Sequence, residues 1–260
     1  MSVIPLLGVS ALAVFTYVTV WFTISLLVKR SDVADIAWGP GIALVGLTAS
    51  FFQTAPTERL TILLLLVAVW GVRLGIRIFL KNKSKKEDPR YILLSEKWGK
   101  WTLLIRYLQV FILQGALMLV IGYPFIHASV YDHGGLGWLT LVGLLVWIVG
   151  FLFEAVGDSQ LDSFLKKPEN KGKIMRYGLW KYSRHPNYFG EVTMWWGIFI
   201  ILLEIPFGLF AIVSPLMITF LILKVSGIPM LEKMFEGNPE FDDYKKTTSV
   251  FFPLLPRKTQ

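Results

Sequence analysis

Residues 3–30, VIPLLGVSALAVFTYVTVWFTISLLVKR, decide the fold class: no acidic or basic side chain interrupts Met1–Val28, and Lys29 and Arg30 follow at once. Roughly 20 apolar residues let an α-helix cross the hydrocarbon core of a bilayer. The run lacks the basic start of a cleaved signal peptide, so it reads as a retained helix. Three further blocks, Ile36–Thr57, Tyr107–Tyr131 and Ile205–Leu223, also carry no Asp, Glu, Lys or Arg. Across its 260 residues the chain is 54% hydrophobic and 17% charged, whereas soluble domains average about 25% charged. A soluble domain, a disordered chain and a nucleic-acid binder are excluded. The expected fold is all-α, a polytopic integral membrane protein.

Seven transmembrane helices fit the pattern, at roughly 4–28, 36–53, 60–80, 104–126, 136–156, 187–203 and 206–224. Of the 26 Lys and Arg residues, all except Arg59 fall on one side of that arrangement or at helix ends facing it. The positive-inside rule then places the N-terminus outside and the C-terminus in the cytoplasm. The net charge of +8 follows largely from this topology, and attraction to anionic lipid adds to it. The expected membrane is the bacterial inner membrane in a prokaryote or the endoplasmic reticulum in a eukaryote. With neither internal repeat nor long linker, residues 1–260 read as a single membrane domain. Its cytoplasmic loops lie at about 81–103 and 158–186, with an amphipathic C-terminal segment at about 230–256. Within that segment, Glu232–Tyr244 reads as one surface helix. The absence of cysteine excludes disulfides, thiolate zinc sites, iron–sulfur clusters and a Cys nucleophile.

Charges within membrane spans cost about 2.5–3.5 kcal/mol each on insertion scales and need a reason. They are Asp32, Asp35, Arg73, Arg77, Glu154, Asp158, Glu191 and Lys224. All eight fall toward the cytoplasmic ends of their helices, which suggests a polar cavity open to the cytoplasm and enclosed by helices from both halves of the chain. Glu154 and Asp158 are four apart and share a helix face. Two carboxylates so placed repel unless a cation, a hydroxyl-rich ligand or a shared proton compensates them. Arg73 and Arg77 repeat the spacing with opposite sign, so a structural salt-bridge lattice is the alternative.

The densest signal is Gly178-Leu179-Trp180-Lys181-Tyr182-Ser183-Arg184-His185-Pro186-Asn187-Tyr188-Phe189-Gly190-Glu191. Pro186 sits where a helix would begin, because its fixed φ and missing N–H cost nothing there. Free N–H groups at that helix start, flanked by Arg184 and His185, are the ingredients of a phosphate site. Asn187, Tyr188, Glu191 and Trp195 recur at spacings of three and four on one face, a set able to read the hydroxyls and rings of a nucleotide. A plain helix entry at a membrane interface would explain Trp180 and Tyr182, but not Glu191 inside a span. No Rossmann glycine fingerprint and no phosphate-binding Walker loop is present. The three histidines, His127, His133 and His185, are not spaced for a metal, so no metal is expected. Any cofactor must bind among membrane helices.

The stretch Leu179–Trp195, with Leu165-Lys166-Lys167-Pro168 before it and Glu232-Lys233-Met234-Phe235-Glu236 after it, resembles the steroid 5-alpha-reductase superfamily. Within it the likeness is to a bacterial and plant branch labelled as a domain of unknown function. It extends through Asp32–Gly39, Asp88-Pro89-Arg90-Tyr91, Leu113-Gln114-Gly115 and Val225-Ser226-Gly227. The resemblance implies a seven-helix membrane reductase that takes NADPH from the cytoplasmic side and reduces an activated carbon–carbon double bond. It carries cofactor roles onto Asp158, Lys173, Asn187, Glu191 and Trp195. Glu154 joins them, standing where the steroid enzymes tend to have Asn, after a one-residue gap. With Arg184, His185 and Tyr188 these make the expected cofactor set. The steroid-holding Glu and Tyr of the family have no direct counterparts: Asp35-Ile36-Ala37-Trp38-Gly39-Pro40 occupies the first region, and Arg77 is the best match to the Tyr.

Hydride addition to an enone develops negative charge on the carbonyl oxygen, which a positioned donor must stabilise or protonate. Tyr91, Arg77 and a protonated Asp35 are the catalytic candidates. The substrate is expected to be a hydrophobic lipid or steroid-like molecule entering from the bilayer. Two other classes compete. Arg184-His185-Pro186-Asn187-Tyr188 also resembles the isoprenylcysteine and phospholipid methyltransferases, whose S-adenosylmethionine is a sulfonium that Glu191, Glu232 and Trp195 would suit. A non-enzymatic lipid-binding protein would explain the helices and inward charges, but would not require a phosphate-like site opposite paired carboxylates.

Overall fold

The computed structural model describes residues 2–53, 55–83, 87 and 101–257. The chain divides into two compact units, Met1–Leu136 with Ile205–Ser214, and Gly137–Glu204 with Pro215–Gln260.

The first unit is built on helices α1 (Val3–Val28), α2 (Val33–Phe51), α3 (Glu58–Lys83) and α4 (Thr102–Tyr131). α1 stops at Lys29, which turns left-handed (φ 55°), and the Arg30 N–H returns to the Ser25 carbonyl at 3.0 Å, a common way to satisfy the last carbonyls of a helix. Arg30 then pairs with Asp32 at 2.7 Å, a structural partner for one of the membrane-edge charges. α2 and α3 touch backbone to backbone. A Cβ on Gly39 would lie 2.8 Å from the Gly71 Cα, and one on Gly71 would lie 2.6 Å from the Gly39 oxygen. Between membrane helices, where hydrophobicity gives no net drive to associate, such close approach supplies the packing. Within α4, Tyr107–Ile112 is π-helical, and the Tyr107 hydroxyl shares a 2.8 Å hydrogen bond with Thr19 of α1.

Arg59, the basic residue that breaks the charge asymmetry, has a specific explanation. It is buried at the start of α3 and forms a 2.5 Å ion pair with Asp132, also buried. Thr57 donates to the second carboxylate oxygen and Gly135 accepts from the guanidinium. A charge pair this dry persists only when its remaining donors and acceptors are occupied.

The second unit holds α5 (Trp138–Leu165), α6 (Pro186–Leu202), most of α7 (Val213–Phe220, continued as a π-helical turn Leu221–Val225), α8 (Ile228–Lys233) and α9 (Pro239–Thr247). Gly143, Gly150 and Gly157 recur every seven residues on α5; the first two meet Gly197 and Gly190, also seven apart, on α6, and Gly157 meets the α6 start at Pro186 and Asn187. A Cβ on Gly150 would lie 2.6 Å from the Gly190 carbonyl oxygen, and one on Gly143 would lie 2.5 Å from that of Gly197. At the far end of this seam Glu204 closes the start of α5. Its carboxylate accepts from the N–H groups of Gly137 (3.0 Å), Leu139 (2.6 Å) and Thr140 (3.2 Å), and from the Thr140 hydroxyl (2.6 Å). An acid is favoured at that positive helix end.

Among the described residues, six helices are long and apolar enough to cross a membrane: Val3–Val28, Val33–Phe51, Glu58–Lys83, Thr102–Tyr131, Trp138–Leu165 and Gly208–Lys233. Large apolar side chains on their outer faces, including Leu12, Leu65 and Leu145, are exposed in the isolated chain, as lipid contact requires. The span expected at 187–203 forms a helix, α6, but its 17 residues leave it shorter than these six. The expected single helix over Glu232–Tyr244 is broken. Gly237 adopts a left-handed φ of 79°, and Asn238 caps α9 by accepting from Glu240 (2.9 Å) and Phe241 (3.3 Å).

Candidate functional site

The glycine seam sets the site in the second unit. Because α5 and α6 meet without side chains between them, the first turn of α6 lies directly on the α5 stretch that carries both carboxylates. A Cβ on Gly157 would come within 3.3 Å of the Asn187 backbone nitrogen, and the Gly190 Cα faces the Glu154 backbone. Glu154 and Asp158 are both buried, at 2% exposure each. The Asn187 side-chain NH2 donates to Asp158 Oδ1 at 3.1 Å, while its own Oδ1 is buried with no hydrogen-bond partner. A buried amide oxygen without a donor is uncommon and asks for a ligand group that can donate.

α6 begins at Pro186, as the sequence implies, with His185 as its N-cap. His185 stacks on Tyr188 (ring centroids 5.6 Å apart, 17° between planes) and meets Glu232 Oε1 through Nε2 at 3.0 Å. Arg184 grips the same carboxylate, with Nε to Oε1 at 2.9 Å and Nη2 to Oε2 at 3.3 Å. Its remaining nitrogen Nη1 donates to the Thr248 carbonyl at 2.8 Å. Arg184 and His185 thus both engage Glu232 at the mouth of α6. The sequence pointed to Glu232 only as a carboxylate able to face a sulfonium. Its pairing with residues 47 and 48 positions earlier had no local signal.

The loop ahead of α6 is held to the end of α5. The Trp180 indole N–H donates to the Gly157 carbonyl at 2.9 Å, and Gln160 accepts from the Leu179 N–H at 2.9 Å. The Tyr244 hydroxyl reaches back from α9 to the carbonyls of Trp180 and Ser183. Burial pushes the Tyr244 phenol well above its ordinary pKa. A shallow groove of about 380 Å³ opens beside this loop, bordered by Gln160, Ser163, Phe164, Lys167, Asn170 and Tyr177.

The other expected residues take different places. Glu191 is half-buried one turn beyond Asn187, and Trp195 is fully buried a turn deeper in α6. Lys173 is exposed in the loop between α5 and α6. Asp35 (first turn of α2) and Arg77 (late in α3) are half-buried members of the first unit. Tyr91 lies outside the described residues. Among the described residues no group of three or more His, Cys, Asp or Glu side chains is placed to hold a metal ion.

Comparison with known proteins places these observations. Residues 21–248 match the family model described as "Protein of unknown function (DUF1295)". Mouse 3-oxo-5-alpha-steroid 4-dehydrogenase 1 is 31% identical over 122 residues, covering 45% of each chain. The cotton (Gossypium hirsutum) steroid 5-alpha-reductase DET2 is 38% identical over 60 residues, or 23% of each chain. An uncharacterised Schizosaccharomyces pombe protein is 23% identical over 230 residues, 76% of this chain and 64% of its own. This chain therefore spans less than half the length of the named steroid enzymes it matches. No solved structure matches it.

Proposed function

The chain belongs to the DUF1295 family, in the steroid 5-alpha-reductase-like superfamily, and from that premise we propose that it is a membrane-embedded reductase. It takes NADPH as cofactor and reduces an activated, enone-type double bond in a hydrophobic, steroid-like or other lipid substrate. The observation that carries the reading is the Asn187–Asp158 pair with its buried, unpartnered amide oxygen. An acceptor-rich cluster of this kind fits a nucleotide's ribose hydroxyls and carboxamide N–H2, groups that donate. Buried carboxylates would repel a phosphate, so the phosphates belong nearer the cations of residues 166–184, Lys173 among them.

In this reading Asn187, Asp158, Glu154 and Glu191 orient the sugar and carboxamide portions. Tyr188 and Trp195 supply aromatic faces. Arg184 and His185 hold the mouth of α6 in place through Glu232. When bound, the cofactor supplies the hydride. Asp35, Arg77 and Tyr91 are the proposed donors to the substrate oxygen, where a charge-assisted hydrogen bond matters most as negative charge develops. The N-terminus faces outward, α6 completes seven spans, and the cofactor residues face the cytoplasm.

The test is thermal stabilisation of the purified protein by NADPH, NADH and S-adenosylmethionine in parallel, with mass spectrometry of any co-purified nucleotide. Selective stabilisation by NADPH supports the reductase. Stabilisation by S-adenosylmethionine alone would move the same helix entry to methyl transfer. No response to any of the three, with α-helical content intact, would favour a non-catalytic lipid binder.

A further inference from the structure

Residues 248–257 form an extended strap that is fixed in place yet leaves its apolar side chains uncovered. Four backbone anchors hold it. The Arg184 N–H donates to the Ser249 carbonyl at 2.8 Å, and the Ser183 hydroxyl to the Phe251 carbonyl at 2.8 Å. The Leu254 N–H donates to the Tyr182 carbonyl at 3.0 Å, and the Arg257 N–H to the Thr247 carbonyl at 2.9 Å. Phe251 turns inward and packs against Phe189 at 5.7 Å between centroids. Its neighbours are largely uncovered: Phe252 touches Phe189 and Phe251 edge-on yet is 64% exposed, and Leu254 is 57% and Leu255 83% exposed.

With the strap's backbone pinned, these three side chains stay largely outside the protein's own packing. Held open to water, they would forfeit the transfer energy of burial. Their location identifies what covers them. The strap is bonded to Tyr182–Arg184, immediately before the apolar helix α6, where aromatic residues usually mark the bilayer surface. Exposed cations, Lys181 and Arg257, flank the apolar tips, and Tyr182 is exposed beside them. Pro253 and Pro256 interrupt the strap and remove backbone donors, which disfavours a protein partner that would add as a β-strand. Apolar prongs rimmed by cations at a membrane surface are the signature of an interfacial lipid anchor.

We infer that residues 252–255 insert into the lipid leaflet beside the start of α6, with Lys181 and Arg257 binding the headgroups of anionic phospholipids. This anchor is separate from the proposed reductase chemistry and stands or falls without it. It is joined to the cofactor-side cluster, however, because the anchors of the strap are Ser183 and Arg184.

These 260 residues hold no cysteine, so Leu255→Cys gives a single labelling site in this chain. A nitroxide at 255 is compared with one at Lys246→Cys, an exposed position on α9, in phosphatidylcholine nanodiscs with and without phosphatidylglycerol. The expected result is an oxygen-to-nickel accessibility ratio several-fold higher at 255 than at 246 when phosphatidylglycerol is present. The depth at 255 falls in pure phosphatidylcholine, and also in the Lys181→Gln/Arg257→Gln double variant. A label at 255 that meets aqueous nickel as readily as the label at 246 would overturn the insertion. Equal depth in both lipid compositions would overturn the anionic headgroup site. Shielding from oxygen and nickel alike would replace the lipid with a protein partner.

Discussion

Asn187 donates its amide N–H to Asp158 Oδ1 at 3.1 Å and keeps its own amide oxygen buried without a donor. One half of the amide is consumed inside the protein, orienting it, and the other half is left for something else. Asn187→Leu is expected to preserve the α5–α6 seam, since the contact there is made by Gly157 and the helix backbone. It should weaken nucleotide binding by about fivefold, the equivalent of one hydrogen bond worth about 1 kcal/mol. Isothermal titration with NADPH, alongside circular dichroism to verify folding, checks both halves of that statement.

The glycine seam has its own consequence. Gly150→Ala places a methyl group 2.6 Å from the Gly190 carbonyl oxygen, and backbone rather than a mobile side chain must yield. The expected loss is about 1–3 kcal/mol, the usual cost of overpacking. Gly8→Ala in α1 meets nothing within 4 Å and is the control. It should leave the thermal midpoint in detergent unchanged or slightly raised, because alanine favours the helix.

Glu232 holds Arg184 and His185 together at the mouth of α6. Glu232→Gln removes the carboxylate that Arg184 and His185 both engage and is expected to cost about 1–3 kcal/mol. The strap and α9 should loosen first, because Arg184 also holds the Thr248 carbonyl. Limited proteolysis would show earlier cleavage after residue 244 in the variant. Unchanged cleavage there would refute the clamp.

Arg59 and Asp132 form a buried pair in the first unit. Removing either charge alone, by Arg59→Gln or Asp132→Asn, is expected to cost about 3–5 kcal/mol by stranding the other. Changing both together should cost less than the sum. A double-mutant cycle on denaturation midpoints reads the coupling directly.

Tyr244 supplies a pH dependence. Burial raises its pKa above the ordinary value, so folding favours the protonated phenol. The stability this contributes is fully present below an unfolded-state pKa of about 10 and is lost as pH climbs from there toward the folded-state value. Tyr244→Phe should be less stable at neutral pH, having lost its bonds to Trp180 and Ser183. Its stability should fall less steeply above pH about 10.

Much of this protein was legible from local pattern. Charge-free runs announced α1, α2, α4 and the 208–233 span, and Pro186 announced the start of α6, because span length and helix entry are properties of contiguous residues. The family likeness read around Leu179–Trp195 is borne out by the comparisons. The surface helix over Glu232–Tyr244 failed at Gly237 and Asn238, where a turn and a cap outweigh amphipathic periodicity.

The sequence by itself determined that the chain lives in a membrane and which polar residues need a reason for being there. Only the tertiary structure decided which reasons apply: Arg59 meets Asp132, Asn187 meets Asp158, and Arg184 and His185 meet Glu232. Crossing a bilayer depends on the free energy of transfer of one contiguous segment, which composition reports. Satisfying a buried polar group depends on a partner that, in these pairs, lies 29 to 73 positions away. Helix packing brings such partners together, and in the second unit that packing rests on glycines placed to let two backbones touch.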